Sequence, residues 1–235
     1  MIYLIQKEGM AMKNKVAIYT ATTEQTIFNE QPSILAAQCD YICFAEDPAI
    51  QSSIWQMRSF PNTGLDADRK ITHVKLLPHL LLPEYDYTIW IENPTDSVLN
   101  SLHQWIEKEL FKDTFNLYAL KHTEAYSAYD MAVSAIKHQT DRIETITLQM
   151  QSYQNQYYPS SCGISDTSVL FRKNHSPEVS QLMERWWEEI TTFSFLDSLS
   201  FNYVLWKNNF NISYLVTEQQ LVSTIEDTDQ ENVVS

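Results

Sequence analysis

Residues 75–93, KLLPHLLLPEYDYTIWIEN, constrain the fold of this chain more than any other stretch. A basic, proline-punctuated segment leads into Tyr85-Asp86-Tyr87. A β-branched and aromatic run, Thr88-Ile89-Trp90-Ile91, then ends abruptly in Glu92-Asn93-Pro94. Such a run predicts a buried strand. It delivers an acid and an amide at its carboxyl end, where Pro94, without an N–H, offers no further donor. In open α/β sheets ligands bind outside the carboxyl ends of the strands. The stretch therefore points to a site as well as to a fold.

The rest of the chain alternates strands with helices. Residues 15–20 (KVAIYT), 40–44 (DYICF) and 55–60 predict three strands ahead of the one at 88–91, and 117–121 and 168–172 (SVLFR) predict two after it. Helices are expected over 66–77, over 97–111 from the spacing of Val98, Leu102, Trp105, Ile106 and Leu110, over most of 126–153, over 177–190 with Pro177 in the favoured first turn, and over 196–207. This alternation predicts an α/β layered domain. No internal repeat or linker divides it, so one domain over 15–222 is expected. An extension of residues 1–14, with Met12 as an alternative start, precedes it, and an acidic, polar tail over 223–235 follows.

Composition bounds the partners. The 235 residues carry a formal net charge of -14, which repels nucleic acid and anionic lipid. Only three glycines occur, and neither a GxGxxG nor a GxxxxGK[ST] phosphate loop is present. An anionic ligand would therefore need local Arg and Lys, or a metal ion. Cys39, Cys43 and Cys162 are too few for a disulfide framework and read as small buried thiols. No apolar run is long enough to span a bilayer and no leader sequence is visible, so a cytoplasmic protein is expected.

Several blocks, in order, resemble a family of glycosyltransferase-like domains of the MUCI/TOD type, found in plant cell-wall proteins and bacterial polysaccharide loci. They are KVAIYTA at 15–21, CDYICFAEDP at 39–48 and LDADRKITHVKLLPHLLLPEYDYTIWIEN at 65–93. Gln149-Met150, Tyr153 and Tyr157-Tyr158-Pro159 come next, then GISDTSVLFRKN at 163–174, Trp186-Trp187 and SFLDSLSFNYVLWK at 194–207. The resemblance implies a GT-A-like fold, with a Rossmann-like nucleotide-sugar domain and a DxD-type metal motif. The chain departs from the family pattern at several polar positions. Glu92-Asn93-Pro94 stands where a WIDGN-like pattern is usual, and Thr22-Thr23-Glu24-Gln25 replaces a GxYD-like turn. Thr72 takes the place of a second arginine, and Lys121-His122-Thr123-Glu124-Ala125-Tyr126 replaces KHPxRxxIYEE. The late SxRDQLSF block keeps Asp197 but loses its Arg and Gln.

On this resemblance Arg69, Lys75 and His79 are expected beside the donor diphosphate, whose departure cations stabilise. Helical spacing by itself does not put Arg69 and Lys75 on one face. Glu92, with Asp96 and His122, is the expected ligand set for Mn²⁺ or Mg²⁺, which favour hard oxygen donors. The alternative for Glu92 is a strand end facing solvent, and for His122 a hydrogen-bonded structural histidine. Asp197 and Asp166 are the carboxylates expected near the acceptor, one of them as the base for an attacking hydroxyl. A helix cap, or a salt bridge to Arg172, is the alternative for Asp197. Trp186-Trp187 and Phe201-Tyr203-Trp206 are either sugar-stacking platforms or, at helical spacing, core. The function expected is sugar transfer from a nucleotide-sugar donor to a saccharide acceptor in polysaccharide or glycan synthesis. The rival class is a degenerate domain of the same fold that binds saccharide or acts as a scaffold.

Overall fold

A computed structural model describes residues 15–23, 39–95, 98–100, 102, 106, 116–122 and 127–215. Seven strands form one mixed sheet: β1 (Val16–Thr22), β2 (Cys39–Ala45), β3 (Gln56–Ser59), β4 (Tyr87–Ile91), β5 (Leu117–Lys121), β6 (Ser165–Lys173) and β7 (Ser213–Leu215), in the order β3-β2-β1-β4-β6-β5-β7. The described helices are α1 (Ala67–Leu76), α2 (Pro78–Leu81), α3 (Ala128–His138), α4 (Ile143–Asn155), α5 (Pro177–Thr192) and α6 (Phe201–Lys207). This is the layered α/β class that the sequence predicts.

Strands β1 to β4 are mutually parallel, whereas β6 runs antiparallel to both β4 and β5. The start of β6 therefore lies at the edge where β1, β2, β4 and β5 end. Each strand alternates between two cores. Ala17, Tyr19, Trp90 and Leu170 pack under α1 and α3 to α6. Val16, Ile18, Ile89 and Phe171 face Leu99, Leu102 and Ile106 on the other side. Helices covering both faces account for the almost unbroken burial of β4.

Three polar ties fix the entry to β4 against the start of β1, β2 and the end of β6. Asp86 accepts the Lys15 N–H at 2.8 Å, the Tyr85 hydroxyl donates to Asp40 at 2.8 Å, and the Asn174 amide donates to the carbonyls of Leu82 and Tyr85 at 2.8 and 2.9 Å. Of the aromatic residues weighed as sugar platforms, Trp186, Phe201 and Tyr203 are core, while Trp187 and Trp206 are half-buried against it. Trp186 is fully buried and donates to the Ser200 hydroxyl at 3.0 Å, and Tyr203 stacks on Tyr153 at 3.7 Å between centroids.

Element boundaries follow the expectations closely, with several differences, one of them the short helix α2 where a proline-punctuated segment was expected. The helix expected across 126–153 is two helices, because Gln139 adopts a left-handed conformation (φ 55°) that closes α3. The helix expected over 196–207 begins as a 3₁₀ turn, Asp197–Leu199, before α6. Strand β7 pairs with β5 at the sheet margin, and no sequence pattern announces it. Of the helix expected over 97–111, the described residues Val98, Leu99, Asn100, Leu102 and Ile106 are helical. The extension 1–14 and the tail 223–235 lie outside the described residues. Cys39 and Cys43 are free, and burial pushes both thiols up to about 12. Four residues apart on one strand, they stand about 13 Å from each other, too far to share one ion.

A buried polar contact joins β1 and β6 to α1. Arg172, 1% exposed, donates from its two Nη atoms to the Lys75 carbonyl and the Tyr19 hydroxyl, and that hydroxyl donates to the same carbonyl at 2.8 Å. Tyr19→Phe removes a group that serves both, leaving one Arg172 donor without its acceptor. Loss of about 2 kcal/mol in urea unfolding is expected, with the slope against urea unchanged.

Candidate functional site at the carboxyl edge of the sheet

Lys75 occupies the last turn of α1, which Asp66 opens by accepting the Arg69 N–H at 2.9 Å. Its side chain is 4% exposed, an unusual state for lysine unless it is paired. The Nζ atom forms a salt bridge with Asp197 Oδ2, donates to Thr167 Oγ1 at 3.2 Å, and meets Glu92 Oε2 at 3.4 Å. It also lies 5.8 Å from the centre of the Trp90 ring, within cation–π range. The Thr167 hydroxyl in turn donates to Asp197 Oδ1 at 3.3 Å. An ammonium has three donors, and here all three have oxygen partners. Two carboxylates around one ammonium leave the cluster with one net negative charge.

Each partner arrives by a different route. Glu92 continues the alternation of Thr88 and Trp90, so it projects on the α1 side as β4 ends, and its N–H donates to the Ser168 carbonyl at 2.9 Å. Asp197 opens the 3₁₀ turn that precedes α6. Thr167 depends on an irregularity in β6. Opposite Ala119 the strand presents Leu170, but opposite Leu120 it presents Asp166, so the register shifts between them. Past that shift Ser165 and Thr167 face α1, whereas regular alternation from Arg172 and Leu170 would have turned Thr167 away.

The same irregularity sends Asp166 to the opposite face. There its Oδ1 accepts the Ser168 N–H at 2.8 Å, a local bond that shapes the bulge. Gly163 sits just before β6 at φ 67°, ψ -164°, a conformation open to glycine, and lets the chain turn into the strand.

The remaining expected residues take other positions. Arg69 lies in the first turn of α1, about 9 Å along the axis from Lys75. It pairs with Asp66 at 3.0 Å and donates to the Phe193 carbonyl at the end of α5 at 3.2 Å, which ties the two helices together. His79 meets Glu184 of α5 at 3.3 Å. His122 follows β5, on the same sheet edge but beyond β6, and is half-buried. Asp96 lies outside the described residues. Asp197 pairs with Lys75, and the expected alternative partner Arg172 instead serves Tyr19 and the α1 carbonyl. Among the described residues no three His, Cys, Asp or Glu side chains gather as a metal site.

Sequence reading missed Thr167, Trp90 and Tyr19. Thr167 carries one weak signal: a hydroxyl just ahead of the apolar run Val169-Leu170-Phe171, four residues after Gly163. A second feature of this edge is a cleft of about 310 Å³ beyond the ends of β2 and β3. Glu46, Phe60, Asn62, Gly64 and Lys70 line it, with Lys70 and Glu46 paired at 2.7 Å. The cleft joins an aromatic ring to amide and charged groups, a lining that suits a polar planar ligand.

A parallel half, an antiparallel β6 and an ionic cluster where the strands end make up one α/β domain. The chain belongs to the TOD1/MUCI70 glycosyltransferase-like domain family, whose match covers residues 25–233. No curated protein matches it in sequence. Among solved structures it is similar to mouse xyloside xylosyltransferase 1 in its apo form, with a TM-score of 0.45 and 8% sequence identity over 86% of this chain and 84% of that one.

Burial depresses the pKa of His79 below its ordinary 6.5, with the Glu184 carboxylate opposing the shift, and burial depresses His73 in the same direction. Folding thus disfavours both protonated forms. Their contribution to stability is complete above the unfolded value and is lost progressively as pH falls below it and through the lower folded value. The urea midpoint is expected to drop between about pH 7 and pH 5.5. A shallower drop is expected in His79→Gln, whose amide keeps a donor for Glu184.

Proposed function

We propose that this protein transfers a sugar from a nucleotide-sugar donor to a saccharide acceptor at the carboxyl edge of its sheet, in the synthesis of a polysaccharide or glycan. The observation that carries the proposal is Lys75. It is a buried ammonium held at the end of β4 by carboxylates from two distant segments, in a domain of a glycosyltransferase-like family. Lysine is seldom buried, and a strongly held cation at the carboxyl ends of the strands, where open α/β sheets bind their ligands, suits an anionic leaving group. The cleft beside Phe60 and Asn62 is the position proposed for the nucleoside.

In this reading the acceptor hydroxyl oxygen forms a bond to the anomeric carbon as that carbon's bond to the diphosphate breaks. The electron pair of the broken bond leaves with the diphosphate. The hydroxyl proton passes to a carboxylate, for which Asp197 is the candidate because it is partly exposed and fixed on both oxygens. Lys75 then serves twice, orienting Asp197 and offsetting charge on the departing diphosphate.

A second reading, saccharide binding or scaffolding without chemistry, is favoured by one specific observation: all three donors of Lys75 are already satisfied. Incubation with UDP- and GDP-sugars and oligosaccharide acceptors, following release of nucleoside diphosphate, separates the two. Turnover is expected in the wild type, with kcat lowered by about 10²-fold or more in Asp197→Asn. Acceptor binding by a folded protein that turns over none of these donors would favour the second reading.

A further inference from the structure

The geometry points to Lys75 as the resident cation of this site: its ammonium stands where a divalent ion would have to sit, and an incoming diphosphate displaces Glu92 from it without help from a metal. This rests on the donor-binding reading above and specifies how that site takes its ligand.

The donor set decides against a metal. A divalent ion at the end of β4 would need Glu92 together with a neighbouring carboxylate, at oxygen distances of about 2.0 to 2.6 Å. Among the described residues the carboxylate that neighbours Glu92 is Asp197, and Lys75 Nζ already bridges the two. An ion coordinated by the same oxygens would lie a few ångströms from a positive charge. That charge is not free to withdraw. The Lys75 carbonyl is bonded by Tyr19 and Arg172, and its ammonium lies within cation–π range of the Trp90 ring. The side chain has almost no contact with solvent in which to find another position.

The three partners of the ammonium are unequal. Asp197 and Thr167 are largely buried and bonded to each other. Glu92 makes the longest contact, 3.4 Å, and its side chain is 52% exposed. A phosphate oxygen arriving on the solvent side, where Glu92 is exposed, can replace the Glu92 oxygen, conserving the hydrogen-bond count while Glu92 swings into water. On this account Glu92 is a built-in competitor for the phosphate position. A metal-ligand role predicts the opposite response when it is neutralised.

Calorimetric titration with UDP, GDP, ADP and CDP, each in EDTA and in Mn²⁺, tests the inference on the wild type, Glu92→Gln, Lys75→Met and Lys75→Arg. Mn²⁺ resonance is followed on the nucleotide-free protein. The expected result is a nucleotide whose Kd is the same within about twofold with and without Mn²⁺, tightened by about fivefold in Glu92→Gln. Binding is lost in Lys75→Met, and the protein alone takes up no Mn²⁺. If Lys75→Met does not fold, Lys75→Arg and Glu92→Gln decide. Weakened binding in Glu92→Gln, or Mn²⁺ uptake that Glu92→Gln abolishes, overturns the inference and leaves the transferase reading standing. Absence of binding by any of the four nucleotides to folded protein, with or without Mn²⁺, overturns both.

Discussion

The carbonyl at the end of α1 organises both the core and the site. It belongs to Lys75, and it accepts from Arg172 of β6 and Tyr19 of β1. Arg172 is buried and, among the described residues, is bonded to no carboxylate, and a guanidinium does not escape that cost by losing its proton. Its charge is offset by the Tyr19 hydroxyl, the face of the Tyr19 ring and the negative end of the α1 dipole. The same burial pushes the Tyr19 hydroxyl far above the ordinary phenol range, so it remains a neutral donor to the carbonyl. This bonding sets the axial position of α1 over the sheet. The Lys75 ammonium is delivered to the strand ends as a consequence.

The reversed strand β6 is what turns that helix end into a site. Four parallel strands would bring only their own carboxyl ends to the crevice. Because β6 runs the other way, its first residues reach the same edge, and Arg172 near its far end reaches the α1 carbonyl. One strand thereby contributes Thr167 to the ionic cluster and Arg172 to the support beneath it. The register shift opposite Ala119 and Leu120 decides which residue joins: Thr167 turns toward Lys75, and Asp166 turns to the other face. A strand without the irregularity would have reversed the two.

Much of this was legible in the chain itself. The abrupt end of the run at Ile91 placed Glu92 at a strand terminus, and Lys75 and Asp197 were singled out individually as a cation and an acid. Their mutual pairing was not visible, because 122 positions of sequence separate them and Arg172 offered an equally plausible partner for Asp197. Arg69 shows the converse. Its family-like position suggested phosphate, yet the capping geometry at Asp66 and the carbonyl of Phe193 already use its guanidinium. Trp186 and Tyr203, open to two readings as sequence, are core because α5 and α6 pack against each other.

The sequence by itself determined the α/β class, the strand whose end carries the site, and the types of charged group available there. Those follow from local periodicity, from turn residues such as Pro94 and Gly163, and from the scarcity of basic residues in an acidic chain. Only the tertiary structure decided that Lys75, Glu92, Thr167 and Asp197 form one cluster while Asp166, Arg69 and His79 do not. Strand order, the direction of β6 and a shift in its register are products of long-range pairing. Local propensity carries no information about which face a residue takes once a bulge has intervened, or about which of two cations reaches a distant carboxylate.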